Sequence, residues 1–270
     1  MSKLLDRLAA LPPFDHFRRR RFEKLFSSHV EGGYGGNLYR GVFPTFEAAR
    51  ASSPPNKRSG YDNAEAAGLY LERTRRVYPS DYPVMLWLDK MFRNGQKTVF
   101  DFGGHIGLGY YAYRKYITYP DGLKWTVHDV PAVVAQGREV AKTMDHERRL
   151  AFADHYDAAD GADIYFSAGA LQYLPTPLAE MLGRLQQRPR YLLLNLLPLH
   201  PDKSFYTLQS IGISYCPYRV MQFGEFVKGL TQLGYVQRDA WENPDKRCII
   251  QFEPEYSIDR YYGFVFELTK

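Results

Sequence analysis

The sequence predicts an α/β protein with a Rossmann-like, doubly wound and mostly parallel β-sheet. From residue 98 onward, short apolar segments alternate with amphipathic ones, which is the pattern of alternating strands and helices. The first apolar segment, TVFDF at 98–102, runs directly into the glycine-rich turn GGHIGLG. The segment YLLLNLL at 191–197 is a continuous apolar run, which is typical of a strand buried on both faces.

The N-terminal part of the chain predicts a mostly helical cap. Pro12 and Pro13 separate two short helices, and the stretch 31–63 is rich in Gly, Ser, Pro and Asn, which predicts loop. Further helices are predicted at 46–51, 64–77 and 81–92. The resulting division is a cap over residues 1–80 and a sheet domain over residues 81–270.

The sheet domain continues the alternation of strands and helices. Strands are predicted at 123–128, 149–153, 163–167 and 191–197, and helices at 108–115, 131–144, 175–187 and 221–233. Residues 198–218 predict a long connection, which in a compact domain is usually a cover or a binding loop. Three terminal strands are predicted at 235–241, 247–252 and 262–268, the first two pairing as an antiparallel end to the sheet.

The composition is that of an ordinary globular protein, with 45% hydrophobic and 24% charged residues in 270. No apolar run approaches the length of a membrane span, and the first thirty residues do not form a signal peptide, so a cytoplasmic location is expected. Cys216 and Cys248 predict buried, reduced thiols. No metal-ligand spacing such as H-E-x-x-H occurs, so no metal site is expected. Nothing in the sequence indicates an oligomeric state.

The basic residues are unevenly distributed, with four consecutive arginines at Arg18–Arg21 in a chain of formal charge +5. Nucleic-acid-binding proteins usually carry broader basic patches, so no nucleic-acid partner is expected. Phe14, Phe17, Phe22 and Phe26 alternate with these arginines. One interpretation is an interfacial helix that contacts an anionic membrane. The other interpretation, which we favour, is a solvated basic face above aromatic packing.

The end of the first strand is the default nucleotide site of an open α/β sheet, and two cofactor classes compete for it. An NAD-type dinucleotide site would use G-x-G-x-x-G/A straight after the strand. Gly107, Gly109 and Ala112 match that pattern, but the match begins too late for a tight strand-to-helix turn. Asp101, at the end of the strand, would also place a negative charge beside the pyrophosphate.

S-adenosylmethionine (SAM) has the opposite charge requirement, because it carries an ammonium and a sulfonium and no phosphate. Asp101 then favours binding, and the glycines let the backbone approach the ligand. Asp129, at the end of the next strand, is placed to bind the ribose hydroxyls. The residues therefore favour SAM, with an NAD-type oxidoreductase as the alternative.

Three segments carry a family resemblance. VFDFGGHIG, LKWTVHDVP and ADIYFSAGALQYLP resemble the first-, second- and fourth-strand motifs of class I SAM-dependent methyltransferases. With YDN, WENPDKRCIIQFEPEY and YYGFVFEL, the chain from about residue 31 is also similar to a family of bacterial proteins classed as methyltransferases and associated with surface-polysaccharide gene clusters. The substrates of that family are not established.

The resemblance implies a set of cofactor-binding residues. They are Asp101, Gly103, Gly104, His105, Gly107, Asp129, Asp154, Ser167, Ala168 and Gln172. By this resemblance Asp129 binds the ribose and Asp154 lies near the adenine. The methionine half of SAM is lined by Asp101, Gly103, Gly104 and Gly107. Ser167 to Ala170 pass along the ligand, with Gln172 and Tyr173 near the transferred methyl. His105 departs from the family pattern, which has a glycine there.

The resemblance also implies methyl transfer to a small-molecule or glycan-precursor acceptor, with a hydroxyl as the expected acceptor group. In such a displacement the protein orients the acceptor and removes its proton. Among the seven histidines, His155 and His200 are the candidate bases, and Tyr173 is a further candidate catalytic residue. A third alternative is a non-catalytic module with this fold, which scaffolds a polysaccharide or membrane assembly through its basic arm.

Overall fold

Two β-sheets frame the part of the chain that the computed structural model describes, residues 12–30, 36–60 and 74–269. The strands are β1 (Leu38–Phe43), β2 (Arg58–Ser59), β3 (Thr98–Phe102), β4 (Lys124–His128), β5 (Leu150–Ala153), β6 (Ile164–Ala168), β7 (Tyr191–Leu197), β8 (Leu199–His200), β9 (Phe205–Ser210), β10 (Ser214–Gln222), β11 (Tyr235–Asn243) and β12 (Tyr261–Leu268). The α-helices are α1 (Pro12–Ser28), α2 (Phe46–Ala51), α3 (Tyr82–Arg93), α4 (Leu108–Tyr113), α5 (Pro131–Met144), α6 (Leu178–Gly183) and α7 (Phe223–Thr231).

The larger sheet has the order β11-β12-β7-β6-β3-β4-β5. Strands β3 to β7 pair in parallel, β12 is antiparallel to β7, and β11 is antiparallel to β12. This arrangement confirms the predicted Rossmann-like, mostly parallel sheet with antiparallel terminal strands.

Both faces of this sheet are buried, as the alternation along β3 shows. Val99 belongs to an apolar cluster with Trp125 on one face, whereas Phe100 belongs to a second cluster with Tyr165 on the other. A strand buried on both faces needs apolar side chains at successive positions, which is why the parallel strands could be found in the sequence.

The second sheet has the order β1-β9-β10-β2, and β8 pairs with the end of β10. Strands β9 and β10 occupy most of the segment predicted as a long connection, so that prediction is wrong. These strands bury polar side chains, since Thr207, Gln209 and Ser214 are at most 1% exposed. Their polar groups are hydrogen-bonded inside the protein, for example Thr207 Oγ1 to the Arg40 carbonyl at 3.2 Å, and this polar content made the strands look like loop.

Other boundaries also differ from the predictions. Strand β1 lies in the stretch predicted as loop, and α6 is shorter than predicted, beginning after Pro177 and ending at Gly183. Residues 247–252 form no strand, because Cys248 and Ile250 make only isolated bridges. Strand β11 therefore pairs with β12 instead. The helix predicted at 64–77 falls mostly outside the described residues, as do the first N-terminal helix and the YDN segment.

Helix α1 packs against the second sheet. Phe26 is fully buried and stacks on the Tyr215 ring of β10, with 5.3 Å between ring centroids. Arg18 and Arg19 lie over the ring of Phe252. Phe17, in contrast, is 66% exposed. None of the helices in the described ranges is long and apolar enough to cross a membrane.

Candidate active site

A cavity of about 970 Å³ lies between the carboxyl ends of the parallel strands and the second sheet. A smaller cavity of about 130 Å³ adjoins it at the end of β3. The two share Gly103, Leu108, Ala168, Leu196 and Lys246. Their joint volume exceeds that of most single-ligand pockets, so there is room for a cofactor and a second ligand.

The turn after β3 requires its first two glycines. Gly103 has a φ of +71°, and a Cβ there would lie 2.1 Å from the Cβ of Ala170. A Cβ on Gly104 would lie 2.3 Å from Oδ2 of Asp101. Both contacts are too short for any side chain, so the turn backbone packs directly against the carboxylate.

Asp101 is 1% exposed and lines the smaller cavity. Its Oδ2 accepts a hydrogen bond of 2.9 Å from the indole N–H of Trp125. Burial raises the pKa of Asp101 to about 7, the Trp125 hydrogen bond opposes this, and the charge of Asp129 adds to it. No lysine or arginine among the described residues pairs with this carboxylate. The site therefore favours a cationic ligand.

Asp129 lines the larger cavity and holds the glycine turn in place. Its Oδ2 accepts the backbone N–H of His105 at 2.9 Å, and its Oδ1 accepts the backbone N–H of Val130 at 2.7 Å. Burial raises the pKa of Asp129, and these two backbone donors oppose the shift. A carboxylate has about four acceptor positions, so Asp129 keeps capacity for ligand hydroxyls.

His105 occupies the position where the family pattern has glycine, and it adopts the left-handed conformation with a φ of 57°. The hydrogen bond from its backbone to Asp129 supports this conformation. The side chain is buried and lines the larger cavity. The turn therefore keeps its course without the third glycine.

The residues predicted along β6 divide into two groups. Ala168 lines both cavities, and Gln172, which is 4% exposed, lines the larger one. Ser167 lines neither cavity, because it is fully buried and its Oγ donates to the Phe102 carbonyl at 3.0 Å. Its place is between β6 and β3, where it joins the two strand ends.

Two further predicted cofactor residues lie at the edges of the site. Gly107 lines neither cavity but begins α4, and a Cβ there would lie 2.8 Å from Leu150. Asp154 lies at the rim of the larger cavity and forms a 2.8 Å ion pair with Arg138, which lowers its pKa.

Neither histidine predicted as a base reaches a cavity. His200 is buried, with Nε2 bound to the Glu255 carbonyl at 3.0 Å and Nδ1 accepting the backbone N–H groups of Asp202 and Lys203. Both ring nitrogens are therefore used, Nδ1 to fix the turn after β8 and Nε2 to bind the Glu255 carbonyl. His155 is exposed on the connection after β5. Neither ring lines the two cavities, so the geometry does not favour either histidine as the base.

Tyr173 does line the larger cavity, as part of a group of tyrosines that the sequence did not single out. Its hydroxyl donates to Oε1 of Gln209 at 2.9 Å, and Nε2 of Gln209 donates to the Tyr39 hydroxyl at 3.1 Å. The hydroxyls of Tyr39 and Tyr261 are 3.2 Å apart, and those of Tyr261 and Tyr218 are 2.7 Å apart. We call Tyr39, Tyr173, Gln209, Tyr218 and Tyr261 the tyrosine wall.

The tyrosine wall draws residues from β1, β9, β10 and β12 as well as from the turn after β6. Burial raises the pKa of Tyr218 and Tyr261 well above the usual range, so these phenols stay neutral near pH 7. The 22 tyrosines of the chain are the only sequence signal for it, and they do not say which of them converge.

Leu196 lies where the two cavities meet, in a β-bulge with no sequence signal. Asn195 and Leu196 of β7 together oppose the single Gly263 of β12. Leu196 has a φ of 56°, which costs energy for a non-glycine residue. Three hydrogen bonds hold the Asn195 side chain, to the Ser80 carbonyl, Trp241 and Asn243.

Two cations also line the smaller cavity, Arg76 and Lys246. Both side chains are exposed, and neither residue was a predicted site residue. Within residues 12–30, 36–60 and 74–269, no group of three or more His, Cys, Asp or Glu side chains could hold a metal ion.

No protein-family model matches the chain, and no curated protein matches it. Among solved structures, OxaC in complex with SAH and oxaline is similar over 77% of this chain and 52% of its own, with a TM-score of 0.50 and 13% identity. The chain thus spans about half the length of OxaC. This likeness shows that the chain has the Rossmann-like fold of that protein.

Two named methyltransferases are similar at a lower score. The Burkholderia thailandensis 1,6-didemethyltoxoflavin-N1-methyltransferase has 14% identity and a TM-score of 0.46, over 71% of this chain and 79% of its own. The mitomycin 7-O-methyltransferase MmcR has 14% identity and a TM-score of 0.46, over 97% of this chain and 70% of its own.

Proposed function

We propose that the protein is a SAM-dependent methyltransferase that moves a methyl group to a hydroxyl of a small molecule or glycan precursor. The observation that carries this proposal is the carboxylate of Asp101. It is buried at the end of β3, faces a cavity, and pairs with no cation among the described residues. A ligand with a positive charge compensates it, whereas a pyrophosphate would repel it.

The dinucleotide alternative loses support from the position of its motif. Gly107 begins α4, and Gly109 and Ala112 lie inside that helix rather than in the turn after β3. Helix α4 has only six residues, so it offers a weak anchor for a pyrophosphate.

The residues present fit SAM along its length. Asp101 would hold the ammonium, and Arg76 or Lys246 would hold the carboxylate of the methionine part. Asp129 would bind the ribose hydroxyls. When bound, SAM supplies an activated methyl group, so the protein need not generate a reactive species. OxaC, whose fold the chain shares, was crystallised with SAH.

The chain's own contribution to the transfer is orientation and exclusion of water. Tyr173 donates its hydroxyl proton to Oε1 of Gln209 at 2.9 Å, which fixes the phenol at the edge of the larger cavity. The tyrosine wall lines the larger cavity, and Tyr39, Gln209, Tyr218 and Tyr261 of the wall are buried. An acceptor held there would face the junction at Leu196.

Calorimetric titration with SAM, SAH and NAD tests the cofactor assignment. We expect SAM and SAH to bind and NAD to give no heat. Asp101→Ala and Asp129→Ala should each weaken SAM binding at least about tenfold, since each removes a charged partner. Asp121→Ala is the matched control, because Asp121 is fully exposed and lines neither cavity. Binding of NAD without binding of SAM would refute the proposal.

An experiment in cells distinguishes the enzyme from the non-catalytic scaffold. A scaffold would keep its role in the Asp101→Ala and Asp129→Ala variants, whereas an enzyme should lose it.

A peripheral membrane contact through α1 is a second proposal, favoured by the outer face of that helix. Phe17 and Leu25 are 66% and 48% exposed, and Arg20, Arg21 and Lys24 lie beside them on the exposed face. Sedimentation with vesicles should show binding to phosphatidylserine-containing membranes and none to pure phosphatidylcholine. A Phe17→Ser, Leu25→Ser variant that sediments as well as the wild type would exclude this contact.

A further inference from the structure

We infer that the tyrosine wall, together with Gln172, forms a subsite for an uncharged ring that bears neighbouring hydroxyl groups. The role of that ring as methyl acceptor rests on the proposed function, whereas its binding does not. Three features of the wall carry the inference: a surplus hydrogen-bond donor, a surplus acceptor, and the absence of charge on the phenols.

The surplus donor follows from counting protons. Tyr39, Tyr261 and Tyr218 are joined by two hydrogen bonds, and the Tyr39 oxygen also accepts from Gln209. Three hydroxyls supply three protons, and two bonds use two of them. Whichever way the bonds run, one O–H is left without an acceptor within the trio. All three side chains are at most 6% exposed, so this donor cannot be satisfied by bulk water.

The surplus acceptor belongs to Gln172. Its Oε1 is buried and has no hydrogen-bond partner among the described residues. Gln172 is 4% exposed and lines the same cavity as the tyrosines. The amide of Gln209 serves as a comparison inside the same wall, since Tyr173 and Tyr39 satisfy both of its ends. A ligand that both donates and accepts hydrogen bonds therefore fits this surface.

Hydroxyl groups combine both capacities, and two of them on adjacent ring atoms can satisfy two separated protein groups. The aromatic side chains favour a ring as their carrier. Tyr39 and Tyr173 meet the Tyr218 ring edge to face, with centroids 5.2 Å and 5.3 Å apart, and so form a continuous apolar surface between the polar atoms.

The tyrosine wall carries no charge, and this disfavours an ionised ligand group at its buried end. A phenol with its ordinary pKa of about 10 is neutral near pH 7, and burial raises the pKa of Tyr218 and Tyr261 further. The cationic side chains that line the larger cavity, Lys246 and Arg247, are on the exposed segment after β11. A carboxylate or phosphate inserted at the wall would lose its hydration without gaining a counter-charge.

Saturation-transfer NMR on the SAH-loaded protein tests the subsite. The probes are methyl β-D-glucopyranoside and catechol, which share adjacent hydroxyls, and 1,2-dimethoxybenzene, which keeps the ring but has no O–H donor. We expect signal from a hydroxylated probe and none from dimethoxybenzene. Signal from the glucoside alone assigns a sugar-like ring, and signal from catechol alone assigns an aromatic one. Equal signal from dimethoxybenzene, or no signal from either hydroxylated probe, would overturn the inference.

One variant locates the binding at the wall. Gln172→Leu removes the surplus acceptor, so it should weaken binding of the hydroxylated probe at least about threefold, as expected for one hydrogen bond. Gln237→Leu is the matched control, because Gln237 is exposed on β11 and lines neither cavity. Unchanged probe binding by Gln172→Leu would refute the placement.

Repeating the probe-binding measurements without SAH distinguishes the subsite from the proposed methyltransferase function. A protein that binds the hydroxylated probe but not SAH would keep this subsite and lose the proposed function. A protein that binds SAH but no hydroxylated probe would keep the proposed function and lose the subsite.

Discussion

Asp101 is a carboxyl group that the fold buries without a cation among the described residues, and burial raises its pKa to about 7. Near neutral pH the free protein therefore carries this group partly protonated. A cationic ligand binds the ionised form better, so binding drives the proton off, and affinity for SAM should rise with pH up to about 7 and then level off.

The first prediction is proton release on binding of SAM. Titrations at pH 7 in two buffers of different ionisation enthalpy should give different heats, corresponding to roughly half a proton released. Asp101→Asn should remove most of that difference, because it removes the carboxyl whose pKa is about 7. Equal heats in both buffers for the wild-type protein would contradict a protonated Asp101.

Gly104 makes a second prediction at the residue scale. A Cβ at this position would lie 2.3 Å from the Asp101 carboxylate, so Gly104→Ala must displace one or the other. We expect the variant to bind SAH at least about tenfold more weakly. Gly183→Ala is the control, since a Cβ there meets nothing within 4 Å. Normal SAH binding by Gly104→Ala, measured by calorimetry, would show that the turn tolerates a side chain.

At the scale of elements, the bulge in β7 gives Leu196 a left-handed backbone with a φ of 56°. Leu196→Gly and Leu196→Ala both remove the side chain, but only glycine relieves the backbone. We expect the glycine variant to be more stable by about 1 kcal/mol in urea unfolding. At an ordinary strand position the alanine variant is the more stable of the two. A more stable alanine variant would therefore contradict the bulge.

Some strands could be predicted from the sequence and others could not. Strands such as β3 and β7 were predicted because burial on both faces requires successive apolar residues. Strands β9 and β10 were missed because their buried positions include polar residues such as Gln209 and Ser214. The polar groups of such residues form hydrogen bonds with partners that are distant in sequence, as Gln209 does with Tyr39. A local sequence pattern cannot predict these pairs.

At the scale of the whole molecule, α1 anchors the second sheet through Phe26, which is fully buried against Tyr215. Phe26→Ala should lower the free energy of unfolding by about 3 kcal/mol, since it opens a cavity in that contact. Phe17→Ala, on the exposed face of the same helix, should change it by less than about 0.5 kcal/mol. Equal effects of the two substitutions in urea unfolding would show that the helix does not brace the sheet.

The candidate site also has a part that the sequence predicts and a part that it does not. The cofactor-binding part could be predicted, because Asp101 and Asp129 each lie at the end of a strand of the parallel sheet. The tyrosine wall could not be predicted, because Tyr39 and Gln209 pair across β1 and β9 and meet Tyr261 of the larger sheet only when the two sheets face each other. His200 shows the converse: its position near a strand end suggested a base, but one ring nitrogen holds a turn and the other binds the Glu255 carbonyl.

A crystal structure with SAH bound is the most direct test of a SAM site across the two cavities. We predict the ammonium of SAH within hydrogen-bond distance of Asp101, the ribose hydroxyls at Asp129, and the sulfur at the junction formed by Gly103, Ala168 and Leu196. The side of the sulfur that carries the methyl in SAM should face the tyrosine wall. SAH bound elsewhere, or with its adenine against the tyrosine wall, would contradict the assignment.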